Sequence, residues 1–273
     1  NQITGLCLVP APEGAVVELG ADDPQTLRAA QVSLGALGVI TRVRLRLLPA
    51  YRLHERTWFV GADECLEHLE DLIAEHRHFE FFWTSKRDSC FMKTLDPTDA
   101  DPDEMPEVEG ERIGHSDLIL PSERNTKFNE IEFAVPAANG VACFREIRDL
   151  MMKRYPEVEW PLEYRTLAAD ELPLSPAYGR PTVTISAHEA AELDCEGFFA
   201  DVESIFRSFS GRPHWGKVHT HDAAQLAPMY PLWEEFQEVR RRLDPEATFS
   251  NSHLHDLLGG RGNTRPFSHG YPS

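Results

Sequence analysis

The sequence is poor in the features that mark several protein classes. It holds five cysteines in 273 residues (Cys7, Cys65, Cys90, Cys143 and Cys195), an odd and scattered set with no C-x-x-C pair. A disulfide framework and a zinc knuckle are therefore not signalled, and a reducing, cytoplasmic compartment is the expectation. No apolar run reaches the length of a membrane span, so no transmembrane segment is expected. Basic residues are few: 27 Lys and Arg stand against 45 Asp and Glu, for a formal net charge of −18. That balance argues against nucleic-acid partners, because phosphate contacts need a basic face. P-loop, nucleophile-elbow and intact Gly-x-Gly-x-x-Gly motifs are missing too, which removes the usual signals for nucleotide loops and serine hydrolases. An initiating Met is also lacking; Asn1 to Thr4 run straight into Gly5-Leu6-Cys7-Leu8-Val9, and a fragment of a longer protein is expected.

What is present is an ordinary globular composition, 41% hydrophobic and 26% charged, enough to build a core. Residues 5–9 and 15–19 read as paired strands joined by Pro10, Pro12, Glu13 and Gly14. Asp22-Asp23-Pro24 starts a helix that runs to about Leu34, and the glycines at 35 and 38 end it. Residues 39–48 read as a strand with Val43, Leu45 and Leu47 on a buried face and Arg42, Arg44 and Arg46 on a solvated one. Then a strand–helix–strand pattern recurs three times. The strands lie at 57–60, 78–84, 130–135, 160–167 and 182–187, and the helices at 62–77, 140–154 and 190–208. This predicts an α+β fold in which helices cover one face of an antiparallel sheet. Residues 96–111, acidic and proline-broken, read as a solvated loop. A further helix is expected over 230–243 and a polar, disordered tail over 261–273.

Three constellations could carry chemistry. Glu163 and Arg165 project to one face of a strand, either as a surface ion pair or as a pocket lining in which Arg165 holds an oxyanion. Ser186 and His188, near the end of the next strand, could face the same pocket, and His188 suits a structural role as well as a catalytic one. His219-Thr-His221-Asp222 and His253-Leu-His255-Asp256 would chelate a divalent ion if each pair lay on a strand. The segment His214-Trp215-Gly216-Lys217 sets a lysine beside an aromatic residue and a glycine. It reads either as a surface turn or as a partly buried ammonium poised to stabilise an anion.

At this last segment the chain resembles a known family. Ser33-Leu34-Gly35-Ala36-Leu37-Gly38-Val39-Ile40-Thr41, Glu163-x-Arg165, Leu174-Ser175-Pro176-Ala177-Tyr178-Gly179-Arg180, His214-Trp215-Gly216-Lys217, Asp244-Pro245 and Phe249-Ser250-Asn251 occur in its order. They are similar to the sugar-lactone and polyol oxidases of the vanillyl-alcohol-oxidase superfamily: D-arabinono-1,4-lactone oxidase, gulonolactone oxidase or dehydrogenase, and alditol oxidase. The resemblance implies an FAD enzyme that moves hydride from a carbinol carbon of a sugar lactone, or of a polyol, to flavin N5. Oxygen or a cytochrome would be the electron acceptor. It implies catalytic roles for Lys217, Glu163, Arg165 and His188, with cofactor contacts from Gly35, Gly38, Ile40, His214 and Lys217. No resident metal is expected from the spacing of the histidine pairs. It also implies a division into an edge of an FAD-binding domain (1–55), a substrate or cap domain (56–212), a segment returning to the flavin site (213–260) and the tail. The family's N-terminal flavin domain would precede Asn1.

Overall fold

The computed structural model describes residues 2–11, 14–102, 108–122 and 125–260. Pro12 and Glu13 of the expected first turn, residues 103–107 of the acidic stretch and the 261–273 tail lie outside the described residues. The chain divides into two compact units: Arg46–Glu171 with Ser175–His219, and Ile3–Leu45 with Leu172–Leu174 and the chain from Thr220 onward.

The second of these begins with β1 (Ile3–Val9) and β2 (Val17–Leu19), which pair antiparallel with Leu6 opposite Leu19. Helix α1 (Pro24–Gln31) is capped by Asp23, whose carboxylate accepts from the Thr26 amide, with proline in the first turn. The helix stops three residues short of the expected Leu34. Leu34 and Gly35 both adopt positive φ, which ends the helix and turns the chain into β3 (Val39–Leu45). That strand pairs with β1. Its alternating pattern predicts one buried face, yet every residue of β3 is exposed, Val39 and Leu45 by more than half. Alternation shows that two faces differ; it does not supply the layer that would cover one of them.

The larger unit is an eight-stranded antiparallel sheet with helices on one face. It opens with β4 (Arg52–Gly61), α2 (Ala62–Glu67), α3 (Leu69–Glu75) and β5 (His78–Thr84). The single helix expected over 62–77 is thus two, broken at His68. Next come β6 (Ser89–Thr98), β7 (Glu111–His115) and the short α4 (Ser116–Ile119). Strands β6 and β7 replace the two ends of the expected acidic loop. They were hidden because Asp96, Pro97 and Glu111 read as loop residues, whereas β7 lies at the sheet edge, where charges stay solvated. Then follow β8 (Phe128–Pro136), α5 (Gly140–Arg154), β9 (Leu162–Leu167), β10 (Thr182–Ala190), α6 (Glu196–Ser208) and the two-residue β11 (Arg212–Pro213). The strand order is β11-β8-β10-β9-β5-β6-β4-β7, antiparallel throughout.

One face of this sheet is the core. Ile131, Phe133 and Val135, Val183, Ile185 and Ala187, Leu162 and Tyr164, Phe79, Phe81 and Trp83, and Cys90 and Met92 are all buried. They meet Phe144, Ile147 and Met151 of α5 and Phe198, Val202 and Phe206 of α6. Phe81 stacks on Tyr164 with centroids 4.9 Å apart, and Phe133 on Phe206 at 4.7 Å. Each fully buried ring contributes about 2–3 kcal/mol through area alone. Gly140 lets α5 sit this close: a Cβ there would run into the Tyr164 hydroxyl and Val183. All five cysteines are free and buried.

Back in the smaller unit, α7 (Ala223–Leu226) has a capping box between Asp222 and Gln225. Helix α8 (Trp233–Leu243) buries Trp233, Phe236, Val239 and Leu243, and α9 (Ser252–Leu258) is capped by Asn251. Among the described residues no helix is long and apolar enough to cross a membrane.

Candidate active site

With Ile131 and Phe133 turned into the core, the pleat sends Glu130 and Glu132 to the opposite face of the sheet. Strand register then lines up polar residues from different strands. Glu132, Ser186, Glu163, Phe82 and Phe91 form one cross-strand row from β8 to β6. Thr184, Arg165, Glu80 and Lys93 form the next. Glu130 lies opposite His188. A cavity of about 800 Å³ opens over this face, lined among others by Glu80, Phe82, Lys93, Phe128, Trp160, Glu163, Arg165 and His188.

Two charged clusters stand here. In the first, Arg165 Nη2 lies 2.8 Å from Glu163 Oε1 and 4.0 Å from Glu132 Oε2, and Arg165 Nε lies 3.9 Å from Glu80 Oε2. Glu163 is almost wholly buried, while the Arg165 side chain remains 46% exposed. The guanidinium is therefore anchored from behind and keeps donors facing outward. Lys93 bonds Glu80 at 3.0 Å and carries the pattern on toward Glu55, which Arg112 grips with two nitrogens. Burial raises the Glu132 carboxyl above the ordinary glutamate range, with Arg165 opposing.

The second cluster is built by the His214–Lys217 turn. Strand β11 pairs with β8, and the turn continues along the same edge: the His214 amide donates to Glu132 O (2.9 Å) and the Val218 amide to Glu130 O (2.9 Å). The Lys217 amide donates to His214 O at 3.1 Å and the Gly216 amide to His214 Nδ1 at 3.1 Å, while Trp215 is buried. This clamp aims the Lys217 ammonium at Glu130 Oε2, to which it donates a hydrogen bond. His188 Nε2 lies 3.4 Å from Glu130 Oε1, and its Nδ1 lies 2.8 Å from Pro161 O, with Phe128 edge-on to the ring. Burial pushes the Glu130 carboxyl up. The hydrogen bonds with His188 and Lys217 outweigh it, and the pKa falls to about 2. The His214 ring, exposed on one side, is held below its ordinary value by desolvation of the other side and by the Lys217 cation, with Glu130 opposing.

The structure thus gathers Glu163, Arg165, His188 and Lys217 on one sheet face, with His214 on the turn that presents Lys217. Ser186 is buried in the row between Glu132 and Glu163. Gly35, Gly38 and Ile40 belong to the other unit. There a side chain on Gly35 would meet nothing, so its backbone is open, whereas a Cβ on Gly38 would strike the Val9 carbonyl, so that glycine serves the approach of the turn to β1. The histidine pairs do not have the strand geometry their chelation needs. His219 and His221 lie in irregular chain, with Asp222 used as a helix cap, and His253 and His255 sit on α9, where i and i+2 diverge. Among the described residues no group of three His, Cys, Asp or Glu could hold a metal ion. Glu130, Glu132, Glu80 and Lys93 are site-face residues that sequence reading missed. The signal was available in the alternation at 130–135, where the face opposite Ile131, Phe133 and Val135 carries two glutamates.

Comparison with known proteins decides the family. The D-arabinono-1,4-lactone oxidase family matches residues 43–118 and 107–257. L-gulono-1,4-lactone dehydrogenase of Mycobacterium tuberculosis is 33% identical over 94% of this chain and 69% of its own length. The chain belongs to the D-arabinono-1,4-lactone oxidase family. It is accordingly an FAD-dependent oxidoreductase acting on CH–OH groups. Alditol oxidase of a Streptomyces species is 29% identical over 85% of this chain and 62% of its own. Among solved structures, cholesterol oxidase from B. sterolicum superposes with a TM-score of 0.80 over 94% of this chain and 69% of its own, at 14% identity, which shows a shared fold. The D-arabinono-1,4-lactone oxidase family match includes both charged clusters.

Proposed function

We propose that this chain oxidises a sugar lactone of the D-arabinono-1,4-lactone or gulonolactone type at a ring carbinol carbon. The supporting observation is the pairing, on one sheet face, of an outward-facing, carboxylate-anchored arginine with a lysine–glutamate–histidine cluster, with Glu163, Arg165 and His188 lining the cavity. A neutral polyhydroxylated ring needs donors, acceptors and aromatic faces in close array. Arg165, Glu163 and the Phe128 and Trp160 rings provide them.

FAD, when bound, supplies the acceptor for the hydride. The residues present fit such a group. Lys217 keeps about a third of its side chain exposed and has donors beyond the one given to Glu130, so it can face charge that appears on reduction. His214, on the same turn as Lys217, would hold the group's edge. Toward substrate, Glu163 accepts from a hydroxyl and fixes the ring's orientation. Arg165 donates to the carbinol oxygen and stabilises the negative charge that develops there as its proton passes to solvent water in the open cavity. His188, held through Nδ1 by Pro161 O and with Nε2 toward Glu130, lines the cavity wall beside Phe128 and Trp160.

The test is an anaerobic titration of the FAD-loaded protein. Bleaching of the flavin band by an aldonolactone supports the reading. Bleaching by a polyol alone moves the substrate to the alditol class, and a flavin that stays oxidised with both overturns it.

A further inference from the structure

We propose that Glu130 is a positioning residue of this site: its ionised carboxylate holds the Lys217 ammonium and the His188 ring in fixed relation through its two separate oxygens. The inference rests on the functional reading above for the roles of Lys217 and His188, and goes beyond it in naming what aims them. Glu130 is 7% exposed and lies on β8, between β10, which carries His188, and the β11 edge, along which the Lys217 turn runs. One oxygen takes the lysine and the other lies toward the histidine, so neither group can swing away without leaving a buried charge with one partner fewer. The other charged groups near it are Glu132 on the same strand, Arg165 on β9 and His214 on the turn, and none of them bonds both cluster members. A carboxylate buried only to tie down the sheet would not need two ligands from two different elements of the candidate site. Lys217 has a flexible stem and its tip is partly in solvent; Glu132 also feels its charge, but among the described residues it is Glu130 that hydrogen-bonds the ammonium and so selects its rotamer.

The test uses Glu130→Gln and Glu130→Asp in the FAD-loaded protein, with Lys217→Met in parallel. Glu130→Gln keeps the volume and removes the charge. It should slow flavin reduction at saturating lactone by about 100-fold, the loss typical of a reacting group displaced by an ångström, with KM moving less than about threefold. Glu130→Asp keeps the charge with one methylene less reach and should fall between the two. The second readout needs no turnover. The NMR titration of the His214 ring should shift to lower pH in Glu130→Gln, which removes a nearby anion that raises it, and stay near wild type in Glu130→Asp. A wild-type rate in Glu130→Gln, a loss confined to KM, or an unmoved His214 titration overturns the proposal. If Glu130→Gln does not fold, Glu130→Asp decides alone: a lowered rate with KM kept supports it and an unchanged rate overturns it. A wild-type rate in Lys217→Met would instead overturn the functional reading, whereas a slow Lys217→Met beside a normal Glu130→Gln overturns this proposal only.

Discussion

Lys217→Met tests the electrostatics of the cluster without any cofactor or substrate. In the folded chain the Glu130 carboxyl titrates at about 2 against an ordinary 4.5, burial opposing and the His188 and Lys217 bonds prevailing. At about 1.4 kcal/mol for each unit, that depression stabilises the fold by roughly 3 kcal/mol at neutral pH. Because the folded value lies below the unfolded one, this stability is present above about pH 4.5 and is lost as pH falls toward 2. Two donors share it, so removing the ammonium should cost about 2 kcal/mol at pH 7, while methionine preserves the apolar length of the stem. The cost should shrink to about 0.8 kcal/mol near pH 2.5, where Glu130 takes up a proton in the variant while remaining mostly ionised in the wild type. Urea unfolding of both proteins from pH 2.5 to 7 measures the difference directly. A difference that is the same at both ends of that range would refute the pairing as its source, and no difference at pH 7 would refute the pairing itself.

Phe133→Ala should cost about 3–5 kcal/mol in urea unfolding, because Phe133 is fully buried and stacked on Phe206. Gly140→Ala should destabilise by about 1–3 kcal/mol through the clash with the Tyr164 hydroxyl, and the cost should drop in a Tyr164→Phe background; equal costs in the two backgrounds would refute the contact. Arg165→Lys should leave the melting temperature nearly unchanged, since the guanidinium is half exposed, yet lower kcat/KM for lactone by about 100-fold, because a lysine cannot satisfy Glu163 and a substrate oxygen with one planar fork.

Much of this protein was legible in its sequence because it was written in local pattern. The periodicity of 130–135, 140–154 and 182–187 located β8, α5 and β10, since burial of one face selects the same residue types wherever the element stands. Glu163 and Arg165 were placed on one strand face by parity alone, and the His214–Lys217 segment stood out by composition. The capping residues Asp23 and Asn251 mark helix starts by direct hydrogen bonds to amides three residues on.

Tertiary structure decided what lies next to what. Glu130 and Lys217 are 87 positions apart, and Glu130 and His188 face each other only because β8 and β10 pair in one register; shifting it by one residue would turn Glu130 into the core. No local pattern carries that information. The buried faces were misjudged where the sequence pattern was right but its partner layer was a question of packing, as at β3, and the interior strand β6 and the edge strand β7 were missed where their ends carry the residues of a loop. Sequence alone determined the fold class and the residue types able to stabilise an anion, since both depend on alternation and chemistry along the chain. Which carboxylate meets which cation was decided only in three dimensions, because a charge–charge contact depends on distances of a few ångströms between strands that the chain order does not place side by side.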